Sequence, residues 1–185
     1  MLFKTDPDAS LIGRIAQGDD KAAAALVSRK LHRIVALAYR LLGDVAEAED
    51  VAQEVFVRVW KYARSWREER ARVDTWLHRI ALNVCHDRLE LRARRRETDA
   101  LDPDLQADAG PTPEAQWLAK SMRERVREAL AALPVRQREA LVLTYYQELS
   151  NAEAATAMAL SVEAIESLLA RARKALRQRL QDIHG

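Results

Sequence analysis

A chain of 185 residues, 49% of them apolar, has room for one domain or two small ones, each with a genuine core. A net charge of +2 excludes neither an acidic nor a basic partner, so only the segregation of acid from base along the chain is informative. The single cysteine, Cys85, excludes an internal disulfide framework, and neither a bilayer-length apolar run nor a signal peptide is found; a soluble, cytoplasmic protein without membrane insertion is expected.

Only five Gly and five Pro stand among abundant Ala, Leu, Arg and Glu, which predicts an all-α fold. Asp6-Pro7 opens a first helix with Leu11, Ile12 and Ile15 on its apolar face, and Gly18 ends it. A second helix begins at Asp19 or Asp20. Leu26, Val27, Leu31, Ile34, Val35, Ala38 and Leu42 carry its period until Gly43 stops it. Asp44 begins the third, with Glu47 placed to complete a capping box. Val51, Val55, Val59, Ala48 and Ala52 point inward there, and Phe56 and Trp60 widen the stripe. Glu47, Asp50, Gln53, Glu54 and Arg58 fall on the other side. A plain solvated face would read this way; so would a docking face for a basic partner.

Residues 65–72 surround Trp66 with charge and have no period, so they form a loop. Val73, Trp76, Leu77, Ile80, Ala81, Val84 and Leu89 then mark a long helix, with Trp76 assigned to the core. Its far end carries Arg88, Arg92, Arg94, Arg95 and Arg96, a basic tail suited to phosphates or to the helix dipole. Between 97 and 113 acids, prolines and a glycine replace the apolar pattern, which marks a flexible acidic linker. Two small helical domains are therefore expected, over 1–96 and 114–185.

The second domain opens on a helix with Trp117, Met122, Val126, Ala129, Leu130 and Leu133, ended by Pro134. Another follows through Gln137, Ala140, Leu141, Leu143, Thr144 and Tyr145. Ser150 and Glu153 then form a capping box, and Ser161 caps the last helix, with Glu163 in its first turn. Ala154, Ala155 and Met158 face Val162, Ile165, Leu168 and Leu169 across a very short turn. This is a helix-turn-helix with basic residues outward, the pattern of a DNA reader.

Two separated blocks resemble one family. Asp44 to Trp60 with Asp74 to Leu89 form the first; Leu133 to Leu141 with Leu149 to Lys174 form the second. In this order and separation they resemble the extracytoplasmic-function class of bacterial RNA polymerase sigma factors, from about Leu11 to Leu180. The resemblance implies a protein that binds core RNA polymerase and directs it to promoter DNA. It places polymerase docking on Glu47, Asp50, Gln53 and Glu54. It places −10 strand opening, which needs a pocket for an extruded base and a basic track, on Trp66, Arg67, Arg72, Asn83, Arg88 and Arg92. Glu163, Glu166, Ser167, Ala170 and Arg171 would read the −35 duplex in the major groove, with Arg173, Lys174 and Arg177 on phosphates. Glu166 stands where some family members carry a basic residue. The resemblance also implies an anti-sigma partner, released on a stress signal, and a monomer when free of partners.

Catalysis is not expected. The four histidines and Cys85 lack metal-ligand spacing, no glycine-rich phosphate loop is present, and neither metal nor cofactor is called for. A conventional helix-turn-helix regulator acting without polymerase is the main alternative. It would leave the acidic helix unexplained, and no dimerisation heptad accompanies it. A sigma-like decoy that binds a regulator fits the basic helices less well.

Overall fold

The computed structural model describes residues 6–99 and 124–181, and every regular element among them is helical. The linker from 100 to 113, Trp117 and Met122 lie outside the described residues. The first half is built from α1 (Ala9–Ile15), α2 (Asp20–Leu42), α3 (Val45–Tyr62), a 3₁₀ turn (Ala63–Ser65) and α4 (Val73–Asp99). The second half contains helical residues 124–131 (α5), α6 (Val135–Leu141), a π-turn (Val142–Tyr146), α7 (Asn151–Met158) and α8 (Val162–Gln181).

Local chemistry sets most boundaries. Asp19 caps α2 by accepting from the amides of Lys21 and Ala22 at 2.9 and 3.1 Å. Gly43 ends the same helix at φ 78°, a left-handed conformation that costs glycine little. Ser150 and Glu153 form the full capping box of α7, and Ser161 Oγ accepts from the Ala164 amide at the start of α8. The turn between α7 and α8 passes through Ala159 at φ 53°, where glycine would be the unstrained residue.

Several expectations give way to long-range partners. The first helix begins at Ala9 rather than at Pro7. Asp6 instead accepts from the amide of Val73 at 2.7 Å and so caps α4 from the start of the chain. Asp8, beside α1, is taken up by Arg29 and Lys30, each at 2.7 Å. Asp44 does cap α3 through the Glu47 amide, but the box is only half made because the Glu47 side chain turns to Arg92. Trp60 does not join the apolar stripe and is 45% exposed; Leu31 is exposed as well, and Leu37 and Leu41 fill the core in its place. The helix α4 runs on to Asp99, past the expected boundary at 96.

The two halves share one continuous core, with α7 lying on α4 and the π-turn lying on α2. A polar seam runs through the junction. Arg33 of α2 donates to the Gln147 carbonyl at 2.5 Å, and His78 of α4 meets the Gln147 side chain at 3.2 Å. Arg138 of α6 donates to the Leu41 carbonyl at 2.6 Å. Glu139 of α6, wholly buried, is paired with His86 of α4 and lies 3.4 Å from Arg136. A buried carboxylate is tolerable only when paired, so the seam has a specific register.

Candidate polymerase and promoter surfaces

The polar face of α3 is split in two. Glu47, Glu54 and Arg58 turn toward α4. Arg92 grips Glu47 through two nitrogens, at 3.0 and 2.7 Å, while its third donates to the Leu42 carbonyl at the end of α2. Glu54 accepts from Arg58 at 2.5 Å and from Arg88 at 3.3 Å. Asp50 and Gln53 face outward with no hydrogen-bonded or ionic side-chain partner among the described residues. Val57 and Trp60, 55% and 45% exposed, continue their strip at helical spacing. The outward strip is thus carboxylate, amide and exposed apolar surface together.

The loop before α4 builds a second kind of surface. Trp66 leans on Trp76 with ring centroids 6.5 Å apart, and its indole nitrogen is buried with no partner among the described residues. Arg67 folds back onto the carbonyls of Arg64 and Trp66, both at 2.8 Å, which fixes the loop. Two clefts flank the aromatic pair. One, of about 210 Å³, is walled by Trp66, Arg67, Arg70, Trp76, Arg79 and Thr156. The other, of about 240 Å³, lies among Arg58, Tyr62, Trp76, Arg79, Ile80 and Asn83. Each offers an aromatic face beside guanidinium groups, the chemistry that stacks a base and holds its backbone.

Trp76 and Arg79 line both clefts. Sequence reasoning assigned Trp76 to the core and passed over Arg79. The available signal was their spacing of three, which puts both at the rim of the α4 apolar stripe. Arg72, expected at DNA, reaches Asp6 at 3.9 Å and Glu153 of α7 at 3.6 Å. Thr156, also of α7, roofs the first cleft, so the helix-turn-helix covers part of it.

The third surface is α8. Ile165, Leu169 and Ala172 are buried, which turns Glu163, Glu166, Ala170, Arg171 and Lys174 to solvent along one face. Ser167, half-buried between them, accepts from Arg171 at 2.8 Å. Arg173 and Arg177 are exposed on the flank, and Arg173 is steadied by the Tyr145 hydroxyl at 3.2 Å. Hydrogen bonds from its own amide and the Ser161 hydroxyl hold the Glu163 carboxyl below its usual range, so it enters any groove ionised.

Titratable groups elsewhere serve packing. Burial pushes the Cys85 thiol up to about 12, which leaves it without a reactive thiolate. Burial lowers His78, keeping it neutral, whereas the hydrogen bond that His86 donates to the Glu139 carboxylate raises His86. Among the described residues no group of three or more His, Cys, Asp or Glu could hold a metal ion, and no helix is long and apolar enough to cross a membrane.

An outward strip of carboxylate, amide and apolar surface, two aromatic clefts and a basic helix within a helix-turn-helix stand together in one chain. Sigma-70 region 2 matches residues 26–97 and sigma-70 region 4 matches residues 123–176. The ECF RNA polymerase sigma factor SigW of Bacillus subtilis is 32% identical, covering 93% of this chain and 96% of its own length. The chain belongs to the ECF sigma factors. RNA polymerase sigma-H factor of Pseudomonas aeruginosa is likewise 32% identical, over 98% of both chains. Among solved structures, the sigma factor RpoE of Bartonella quintana in complex with the anti-sigma factor NepR superposes with a TM-score of 0.67 at 25% identity, covering 85% of this chain and 96% of that one. This sigma factor accordingly acts in transcription initiation, with RNA polymerase and promoter DNA as its partners.

Proposed function

We infer that the protein docks on core polymerase through α3, opens the −10 element on the α4 clefts and reads the −35 duplex with α8. Asp50 and Gln53 would make the outward contacts, with Val57 and Trp60 adding apolar surface; Glu47 and Glu54 flank them. Trp66, Trp76 and Arg79 would receive an extruded base, with Arg67 and Asn83 at the cleft walls and Arg72, Arg88 and Arg92 on the backbone. Glu163, Glu166, Ser167, Ala170 and Arg171 would face base edges, while Arg173, Lys174 and Arg177 hold phosphates.

The observation that carries this reading is the pair of aromatic clefts on the helix adjoining the acidic strip. A duplex-only reader has no use for an aromatic stacking site, because paired bases offer no free face. The two matched ranges support a working division into 1–96 and 114–185, joined by 97–113. The likeness to a sigma factor held by an anti-sigma protein supports similar control here, in the cytoplasm where polymerase works. The protein supplies recognition and positioning; polymerase supplies the chemistry.

Reconstitution tests this directly. Purified protein added to core polymerase should give transcripts with defined starts from a genomic promoter library. Binding to DNA sites with no retention of polymerase would favour the helix-turn-helix regulator instead.

A further inference from the structure

Residues assigned above to different partners hold each other in this structure. Glu47 and Glu54 belong to the polymerase-docking helix, and Arg92 and Arg88 to the nucleic-acid helix, yet they form two cross-helix pairs at 2.7 and 3.3 Å. All four side chains are about one-third exposed, at 31 to 35%. They are accessible enough to exchange partners, and pairs of this exposure are weak.

We propose that Glu47 and Glu54 stand in for promoter phosphates in the free protein, holding Arg92 and Arg88 until polymerase draws the two carboxylates away. A carboxylate and a phosphate present the same fork of oxygens to a guanidinium, so one replaces the other without rebuilding the site. The Arg92 guanidinium is filled on every side that faces the protein, by Glu47 and by the Leu42 carbonyl. Arg88 shares Glu54 with Arg58, and Arg58 also reaches Asp87 at 3.1 Å. The basic end of α4 is therefore locally neutralised where a single strand would run. A basic polymerase surface that engages Glu47 and Glu54 restores two positive charges to that track. By linkage, the bound strand then strengthens polymerase docking by the same factor.

The proposal rests on α3 being the polymerase-docking helix, and its masking step can be tested without polymerase. The probe is a short, mixed-sequence single strand of DNA with a fluorophore, read by anisotropy against the full-length protein. Glu47→Gln with Glu54→Gln should bind it about tenfold tighter than wild type at low salt, with a log–log salt slope steeper by about 1.4, the value for two added phosphate contacts. Glu49→Gln with Asp20→Asn removes the same charge from exposed residues with no ion pair among the described residues and no assigned partner. That control should change binding less than twofold.

Equal effects of the two double variants would overturn the proposal, because net charge alone would then explain them. The single variant Glu54→Gln, which leaves the Arg92 anchor in place, gives the same comparison with one contact should the double variant melt early. Wild-type protein that fails to bind core polymerase would overturn the releasing step and the docking assignment, whatever the strand binding shows. Normal polymerase binding with unaltered strand affinity in the Gln variants would overturn the masking alone.

Discussion

The two regions proposed to face DNA are built on opposite principles. On α8 the arginines and lysine stand in solvent on a regular helical face, with no aromatic residue on the helix itself. Around α4, Arg67, Arg72, Arg88 and Arg92 are engaged with carboxylates or carbonyls, and the clefts beside them are aromatic and concave. A duplex presents rigid edges and phosphates in a known geometry, so a pre-aligned helix whose arginines are held only by neutral hydroxyls suffices. A strand that must leave its stack needs a surface to replace the stacking it loses. Charge serves the first region, shape the second.

Separating them by substitution tests that contrast. Trp76→Ala should have the largest effect, removing a wall from both clefts. Open-complex formation, followed by permanganate reactivity of the −10 thymines, should fall by ten- to a hundredfold, about 1–3 kcal/mol for one stacked base. Duplex −35 binding by the same variant should stay as it is. Arg171→Ala should do the reverse. It should lower affinity for −35 duplex about tenfold in a gel-shift titration and leave polymerase retention intact. Equal loss of both activities in either variant would dissolve the distinction.

A smaller effect is expected at the seam between the halves. The His86 pKa is raised by Glu139, against desolvation and Arg136, with Glu90 reinforcing. A raised imidazole pKa stabilises the packed form fully below the ordinary histidine value of 6.5, and the gain is lost as pH rises through the higher value of the packed state. Melting temperature should therefore decline over that window in wild type and stay flatter in His86→Gln. His78, lowered and buried between Asp74, Gln147 and Arg33, should contribute the opposite slope, with stability lost as pH falls below 6.5. The smallest change is Ala159→Gly in the turn before α8. It should stabilise the protein by about 0.5–1 kcal/mol in denaturant titration, through relief of the left-handed alanine, without altering promoter choice.

The second half was the more legible in sequence. Its decisive signals are local: Ser150 with Glu153, Ser161 with Ala164, and an apolar stripe that aims the α8 face outward. Capping and periodicity act within one turn of helix, so four or five residues carry them. The first half depends on partners far along the chain. Glu47 leaves its capping box because Arg92, on another helix, offers two donors. Asp6 accepts from the Asp8 amide beside α1 with one carboxylate oxygen and from the amide of Val73, far along the chain, with the other. The second half has one such case in Glu139, a carboxylate that is fully buried because α4 covers it and supplies His86. Trp76 sits where a core residue would, and only the position of the 66–72 loop turns part of it into a wall.

The contact of α7 with α4 sets a length. Arg72 and Glu153 stand 3.6 Å apart, so the Trp66–Trp76 cleft and the helix-turn-helix are immediate neighbours. Elements centred at −10 and −35 lie some 25 base pairs apart, about 85 Å of straight B-form DNA. On the proposed assignment, a molecule folded on itself this way is a closed pair of calipers: it would reach one mark or the other, and polymerase would have to hold it open for it to measure both.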